Sequence, residues 1–235
     1  MLGRRSKVIR RILFCTLILA FCATAGAQDQ KQALQEKLAA VKQSVAENQA
    51  RLKTYAWVET TEISLKGEVK KREQKECRYG ADGKVQKTPI GAPPEPKKQT
   101  RGLKGKVVEK KVDELKDYME RFGSLVSRYV PPDPQSMQAA FQAGKAAMTP
   151  PASLVFTDYV KPGDKVTLSQ DPTTKKLKQF NVSTYLDGPD DAVVIDVNFS
   201  SLADGTNHVE QVILASAKKE LQIKTSNFDY KKVGP

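Results

Sequence analysis

Residues 193–200 read VVIDVNFS, and their side chains alternate in polarity. Val193, Ile195, Val197 and Phe199 occupy the odd positions, whereas most of the even positions are polar. A period of two residues is typical of a β-strand that is buried on one face only. This stretch therefore predicts a sheet with an apolar face that another part of the chain must cover.

Comparable strands precede and follow this stretch between Asp164 and Val233. They are centred on 180–186, on 209–215 and on 221–225, and short turns containing Asp, Pro or Gly separate them. In the strand at 209–215 we assign Val209, Gln211, Ile213 and Ala215 to one face. The spacing predicts an antiparallel meander that forms an open sheet or an unclosed barrel.

The N-terminus has the pattern of a secretory signal peptide. Five basic residues precede an apolar run from Ile12 to Ala23, and Ala25-Gly26-Ala27 matches a cleavage site. The run is shorter than the roughly 20 residues that a membrane-spanning helix needs. We expect cleavage after Ala27, with export across the inner membrane into the periplasm. Lipidation at Cys22 is disfavoured, because the bulky Phe21 precedes it.

Net charge and cysteine content limit the classes of partner and the disulfide bonds that can be expected. Removing residues 1–27, which hold five basic and no acidic groups, lowers the formal charge from +12 to +7. The lysines come as scattered pairs, which are typical of solvated faces, and we expect no nucleic-acid binding. Peripheral attraction to anionic lipid head groups is an alternative. Cys77 is left without an intramolecular partner and is expected to be a buried apolar side chain.

Helices and a charged hairpin precede the meander. Apolar spacing predicts helices over 30–52 and over 107–129, and Asp133-Pro134 begins another that we extend to Met148. Strands from Tyr55 to Leu65 and from Glu68 to Tyr79 form a hairpin with a very polar return arm. Residues 91–106 are rich in Pro, Gly and Lys and predict a mobile loop in a single domain over 28–235.

Catalytic and metal-binding patterns are missing from the sequence. His208, the only histidine, is interpreted as an ordinary surface imidazole, and one histidine without a cluster of other ligands does not make a zinc site. The sequence contains no nucleophile elbow, phosphate-binding glycine loop or paired cysteine motif. We therefore expect neither an enzyme nor a bound cofactor or metal.

The order of these elements resembles that of the LolA/LolB-like superfamily of periplasmic lipoprotein carriers, proteins concerned with outer-membrane lipoprotein sorting. The resemblance spans most of 30–233 and includes Tyr55-Ala56-Trp57, Lys66-Gly67-Glu68-Val69 and Leu186-Asp187-Gly188. It implies an α+β fold in which a strongly curved antiparallel sheet forms an open, unclosed barrel. It also implies that helices cover the concave face and that an apolar cavity between the layers accepts acyl chains.

Two functions follow as hypotheses. The first is a non-enzymatic cell-envelope protein that binds an acyl chain, lipid or lipoprotein in the apolar cavity. The second is a structural or interaction module that docks a partner protein of the envelope through the charged hairpin 66–79 and loop 91–106. The candidate cavity residues are apolar side chains of the strands and helices: Trp57, Phe122, Phe141, Met148, Phe180, Val182, Val193, Ile195, Val197, Phe199 and Ile213.

Overall fold

A computed structural model describes residues 36, 39, 43, 46–91, 103–130 and 132–233, apart from the side chains of 103–112 and Pro134. The chain divides into two compact units, residues 1–45 and 46–235. The predicted signal peptide lies outside the described residues. In the first unit, residues 36, 39 and 43 are helical and exposed.

The described part of the second unit contains ten strands and three helices. Helix α1 comprises residues 46–52, and the helices that follow are α2 (Leu103–Ser127) and α3 (Pro134–Gln142). The strands are β1 (Tyr55–Leu65), β2 (Glu68–Tyr79), β3 (Val85–Pro89), β4 (Ala146–Thr149), β5 (Ser153–Thr157), β6 (Lys165–Gln170), β7 (Leu177–Tyr185), β8 (Ala192–Ser201), β9 (Asn207–Ser216) and β10 (Leu221–Lys232).

All ten strands join one antiparallel sheet in the order β3-β2-β1-β10-β9-β8-β7-β6-β5-β4. Strands β3 and β4 form its two edges, so the sheet is not closed. The prediction of a large, open antiparallel sheet is confirmed. The charged hairpin is also present, and Lys66 and Gly67 make its turn with positive φ angles of 55° and 76°. Such angles suit a two-residue hairpin turn, and glycine adopts them without strain.

The register places one apolar row across nine strands. From β2 to β4 the directly paired residues are Lys71, Ile63, Ile223, Leu214, Ile195, Val182, Val166, Phe156 and Ala146. Because side chains alternate along a strand, the residues next to each member of this row point to the other face. That other face carries mostly polar residues, such as Asn181, Asp196 and Lys224. The sheet thus has an apolar face and a polar face.

Two buried tyrosines, Tyr118 of α2 and Tyr129 two residues after its end, form hydrogen bonds with residues of the apolar face. Tyr129 donates its hydroxyl to Asp164 Oδ2 at 2.6 Å and lies 2.8 Å from Thr184 Oγ1. Tyr118 donates to Asp191 Oδ1 at 2.9 Å and lies 2.5 Å from Ser216 Oγ. Burial raises the pKa of both phenols, and the carboxylates that they contact add to this effect. These hydroxyls therefore stay protonated and serve as hydrogen-bond donors.

Two sequence predictions about element bounds are wrong. The helix that begins at Pro134 ends at Gln142, because Gly144 has a φ of +71° and turns the chain into strand β4, which contains Met148. The predicted mobile loop also ends sooner. Residues 92–102 lie outside the described residues, whereas 103–106 are already part of α2. A single interior glycine, Gly105, costs a helix only about 1 kcal/mol, so it does not prevent the earlier start.

Replacing Tyr129 by Phe tests the attachment of α2. The variant keeps the ring but removes the O–H donor from the buried carboxylate of Asp164, so we expect a loss of about 1–3 kcal/mol in the free energy of unfolding. Urea denaturation measures the loss. Tyr159→Phe is the matched control, because the Tyr159 hydroxyl bonds the Asp133 carbonyl in an exposed position. Equal losses in the two variants would contradict the proposed attachment.

Candidate functional site

The apolar face divides into a covered zone and a half-exposed zone. In the covered zone, on β5–β8, Ile195 and Val182 are completely buried, and Phe156 and Val166 are nearly so. In the same row, Leu214, Ile223 and Ile63 on β9, β10 and β1 are only half-buried. Val212, two residues before Leu214, is half-buried as well. We call Ile63, Val212, Leu214 and Ile223 the apolar strip.

The apolar strip is a continuous surface. Ile63 pairs with Ile223, and Ile223 pairs with Leu214, so the three side chains stand side by side on neighbouring strands about 4.8 Å apart. In the adjacent row, the hydroxyl oxygens of Thr61 and Thr225 lie 3.3 Å apart, so one hydroxyl donates to the other. Both hydroxyls next to the strip thus take part in a hydrogen bond.

Charged residues of β2 limit the strip on one side. Lys71 is paired with Ile63, and Glu73 is paired with Thr61. Lys71 and Glu73 also form an ion pair with each other. Hydrogen bonds from Lys71 and Lys75 hold the pKa of the Glu73 carboxyl below its usual value. The apolar row thus ends at a pair of charges that neutralise each other at the exposed margin of the sheet.

An aromatic cluster occupies the apolar face where β1 begins, and Glu59 and Thr61 separate it from the strip along that strand. The Trp57 ring stacks on Tyr230 with centroids 5.6 Å apart, and it contacts Tyr79 at 5.7 Å. The indole N–H donates to Asn227 Oδ1 at 3.2 Å. A bulge in β10 at Asp229 brings Tyr230 opposite Trp57. Trp57 was predicted to line a cavity, whereas the structure packs its ring against other aromatic rings.

His208 belongs to this cluster, and the prediction of a surface imidazole is wrong. The residue is only 7% exposed, its ring centroid lies 4.2 Å from that of Tyr230, and Nδ1 lies 3.2 Å from the carbonyl oxygen of Val209. The neighbouring Asn207 is held by α1, because its N–H donates to Asn48 Oδ1 at 3.1 Å. Burial lowers the pKa of His208. The neutral imidazole is therefore the form that the fold favours.

The predicted cavity residues do not all come together. Most lie on the apolar face and are buried in or against the covered zone; they are Phe122, Phe180, Val182, Val193, Ile195 and Val197. Phe199 is half-buried on the same face, and Phe141 of α3 is half-buried. Met148 is 39% exposed on the edge strand β4. Ile213 lies on the polar face, where it pairs with Asp196 and Lys224.

The placement of Ile213 is a correction with a clear cause. Strand β9 contains a bulge at Glu210, because Phe199 pairs with Val209 whereas Asn198 pairs with Gln211. The extra residue reverses the alternation, so that Val212 and Leu214 take the apolar face. Residues 212–215 read VILA and show no alternation of their own. The apolar strip was therefore missed, and the bulge was the feature that the sequence pattern did not reveal.

A groove of about 570 Å³ lies on the polar face, so it is distinct from the predicted cavity between sheet and helices. Thr60 and Ser226 are paired across β1 and β10, one residue away from the Thr61–Thr225 pair of the other face. Glu62 and Arg72 form an ion pair of 2.8 Å within the groove. Its lining residues are mostly polar or charged: Thr60, Glu62, Arg72, Glu73, Gln74, Ile90, Lys224, Ser226 and Phe228.

The titratable groups Glu59 and Cys77 lie near the aromatic cluster, the first in an ion pair and the second kept neutral by burial. Glu59 is buried, and both of its carboxylate oxygens accept from Lys87 Nζ, at 2.6 and 2.7 Å. Cys77 is fully buried, as predicted, and burial raises the pKa of its thiol.

Within the described ranges, no three His, Cys, Asp or Glu side chains are grouped to hold a metal ion. No helix in that part of the chain is both long and apolar enough to span a membrane.

Comparisons with protein families, with curated proteins and with solved structures found no match to this chain. The resemblance to the lipoprotein carriers therefore stays a prediction.

Lowering the pH should destabilise the fold through His208. The unfolded chain has a histidine pKa of about 6.5, and the folded pKa is lower. The unfolded chain therefore binds more protons between these two values, so stability is complete above about pH 6.5 and declines as the pH falls through this window. The slope for one proton is at most about 1.4 kcal/mol per pH unit.

Urea denaturation between pH 7.5 and 5 measures this slope, and His208→Gln should flatten it. The carboxyl of Asp204, whose pKa is lowered to about 2 mainly by the hydrogen bond from Tyr55, responds only at lower pH. Identical slopes in the wild-type chain and the variant would show that His208 does not carry the effect.

Proposed function

We propose that this protein is a non-enzymatic carrier or sensor of the bacterial periplasm that binds the acyl chain of a lipid or lipoprotein along the apolar strip. The observation that supports this proposal is the apolar row, whose residues are buried on β5–β8 but half-exposed on β9, β10 and β1. An apolar surface that the chain itself leaves partly uncovered is suited to an apolar ligand.

In this proposal the sheet is strongly curved, and α2 and α3 lie on its concave side. The contacts of Tyr118 with Ser216 and of Tyr129 with Thr184 support the arrangement, because Ser216 and Thr184 share a face with the strip. An acyl chain would then lie between α2 and the strip. The covered zone would serve as the fixed wall of the site, and the strip as the part that the ligand completes.

The expected ligand follows from the energy of burying hydrocarbon. Each methylene contributes about 0.8 kcal/mol, and micromolar affinity requires about 8 kcal/mol after the cost of association. More than about ten methylenes must therefore be buried, which corresponds to a long acyl chain and excludes short fatty acids. Binding of the acyl chain makes and breaks no covalent bond and needs no cofactor.

Leu214→Asn tests the strip, and Ile213→Asn is its matched control. The two residues are adjacent on β9 and are both half-buried, but they lie on opposite faces. Asparagine at 214 places an amide against the ligand, so we expect affinity for a fluorescent long-chain fatty acid to fall at least about tenfold, which corresponds to 1.4 kcal/mol. The control should stay within about twofold. Titration by fluorescence measures both.

Native mass spectrometry of protein purified from bacterial membranes provides a second measurement. The wild-type chain and Ile213→Asn should retain lipid that Leu214→Asn lacks, while urea denaturation verifies that both variants fold. Equal affinities in the two variants, or a folded wild-type chain that never takes up a lipid or an apolar dye, would overturn the proposal.

The exposed edge of the sheet favours a second candidate function, docking of an envelope protein through hairpin 66–79 and loop 91–106. Every residue of the edge strand β3 is exposed. Val69 and Ile90 are also 57% and 46% exposed. An open edge can accept a strand from a partner, although the charged residues of β2 oppose unspecific pairing. Deleting residues 92–102 should then abolish partner capture and leave fatty-acid binding intact.

A further inference from the structure

The two ends of the sheet differ strongly in charge. One end, which we call the basic end, consists of the turns before β1, β3, β7 and β9 and of the strand residues next to them. These segments are 51–56, 78–84, 171–178, 202–206 and 229–233. These segments contain nine Lys or Arg and four Asp residues. The turns at the opposite end, with their flanking residues, are 65–68, 143–146, 158–165, 186–191 and 217–220, and they contain six Lys and seven Asp or Glu.

The segments of the basic end form one continuous surface. An added Cβ at Gly83 would lie 3.7 Å from Lys53 Nζ, so Lys53 lies next to the turn that contains Lys84. Tyr55 pairs with Lys232 and donates its hydroxyl to Asp204 at 2.7 Å. The turn that contains Asp204 also contacts the turn at 171–176, because Lys176 Nζ donates to the carbonyl oxygen of Gly205 at 2.6 Å.

The acidic residues of the basic end leave most of its cations unpaired. Asp229 forms an ion pair with Lys231 at 3.1 Å. Asp82, Asp171 and Asp204 accept hydrogen bonds from backbone N–H groups of their own turns, and Asp204 also accepts from Tyr55. Lys53, Arg78, Lys84 and Lys178 are exposed, and none has an ion-pair partner among the described residues. At the opposite end, by contrast, Lys218 pairs with Asp190 and Lys145 pairs with Asp158.

We propose that the basic end docks on the surface of an anionic lipid bilayer. Lys and Arg residues that lie close to a membrane surface are attracted by acidic lipid head groups. Each such residue raises the affinity for the membrane about fivefold. The cations extend across turns from β3 to β7, a broad distribution that matches a surface. The aromatic residues of these segments, Tyr55, Tyr79 and Tyr230, pack against one another or against Trp57, so they do not form the exposed stacking platforms of single-stranded nucleic-acid binders. The docking goes beyond ligand binding at the apolar strip and does not require it.

Charge reversal tests the docking with a control of the same net charge. The full chain carrying Lys53→Glu and Lys84→Glu is compared with the full chain carrying Lys66→Glu and Lys165→Glu. All four lysines are exposed and free of ion pairs within the described part of the chain, but the second pair belongs to the opposite end. Any contribution of residues 1–27 is common to both variants. Co-sedimentation with vesicles of phosphatidylglycerol and phosphatidylcholine measures the affinity at 50 and 300 mM salt.

We expect the first variant to lose at least about twentyfold in affinity at low salt, and the control to stay within about threefold. Binding of the wild-type chain should weaken at 300 mM salt, because exposed charges are screened. Leu214→Asn should still sediment with the vesicles, which separates this proposal from the function of the apolar strip. Equal losses in both charge variants, salt-independent binding, or tighter binding to a single-stranded oligonucleotide than to the vesicles would overturn it.

Discussion

Strand register is the constraint on which the rest of this structure depends. One row of directly paired residues runs from Ala146 to Lys71 across nine strands, and all but its last member are apolar. A slip of one residue in β7 or β8 would turn Asn181 or Asp196 to the apolar face. Burying an unpaired carboxylate costs several kcal/mol, so the alternating sequence of the central strands excludes such a slip.

Two tyrosine hydroxyls connect α2 and the turn after it to carboxylates on this apolar face. Asp164 is a good anchor for Tyr129, because its carboxylate also accepts from the backbone N–H groups of Val160 and Lys161. Asp191 is less well satisfied, since its Oδ2 has no hydrogen-bond partner among the described residues. A buried carboxylate is stabilised by each donor that it receives, so the Tyr129 end of α2 is the more firmly held. The hydrogen bond of Tyr118 to Asp191 is thus the weaker of the two connections between this helix and the sheet.

Apolar exposure and positive charge lie in different parts of the same sheet. The strip lies near one end of β9, β10 and β1, two to five residues from the turns at 65–68 and 217–220, whereas the cations occupy the turns at the other end of those strands. The aromatic cluster of Trp57, Tyr230 and His208 lies between them and is densely packed. In the two proposals, the cations of the turns contact a lipid surface, and the strip, towards the other end of the strands, contacts the hydrocarbon of a ligand. The two proposed activities use separate residues and can be removed separately.

Alternation and turn chemistry in the sequence alone determined the antiparallel meander, the hairpin at Lys66-Gly67 and the apolar character of Val193, Ile195 and Val197. They succeeded there because burial on one face imposes a period of two on regular strands. The exposed end of the apolar row, the opposite placement of Ile213 and the burial of His208 were decided by tertiary structure. A bulge at Glu210 shifts β9 by one residue, and α1 covers the start of that strand. A bulge and the burial of a residue under a helix both depend on strands and helices that are distant in the sequence. No local sequence pattern therefore encodes them.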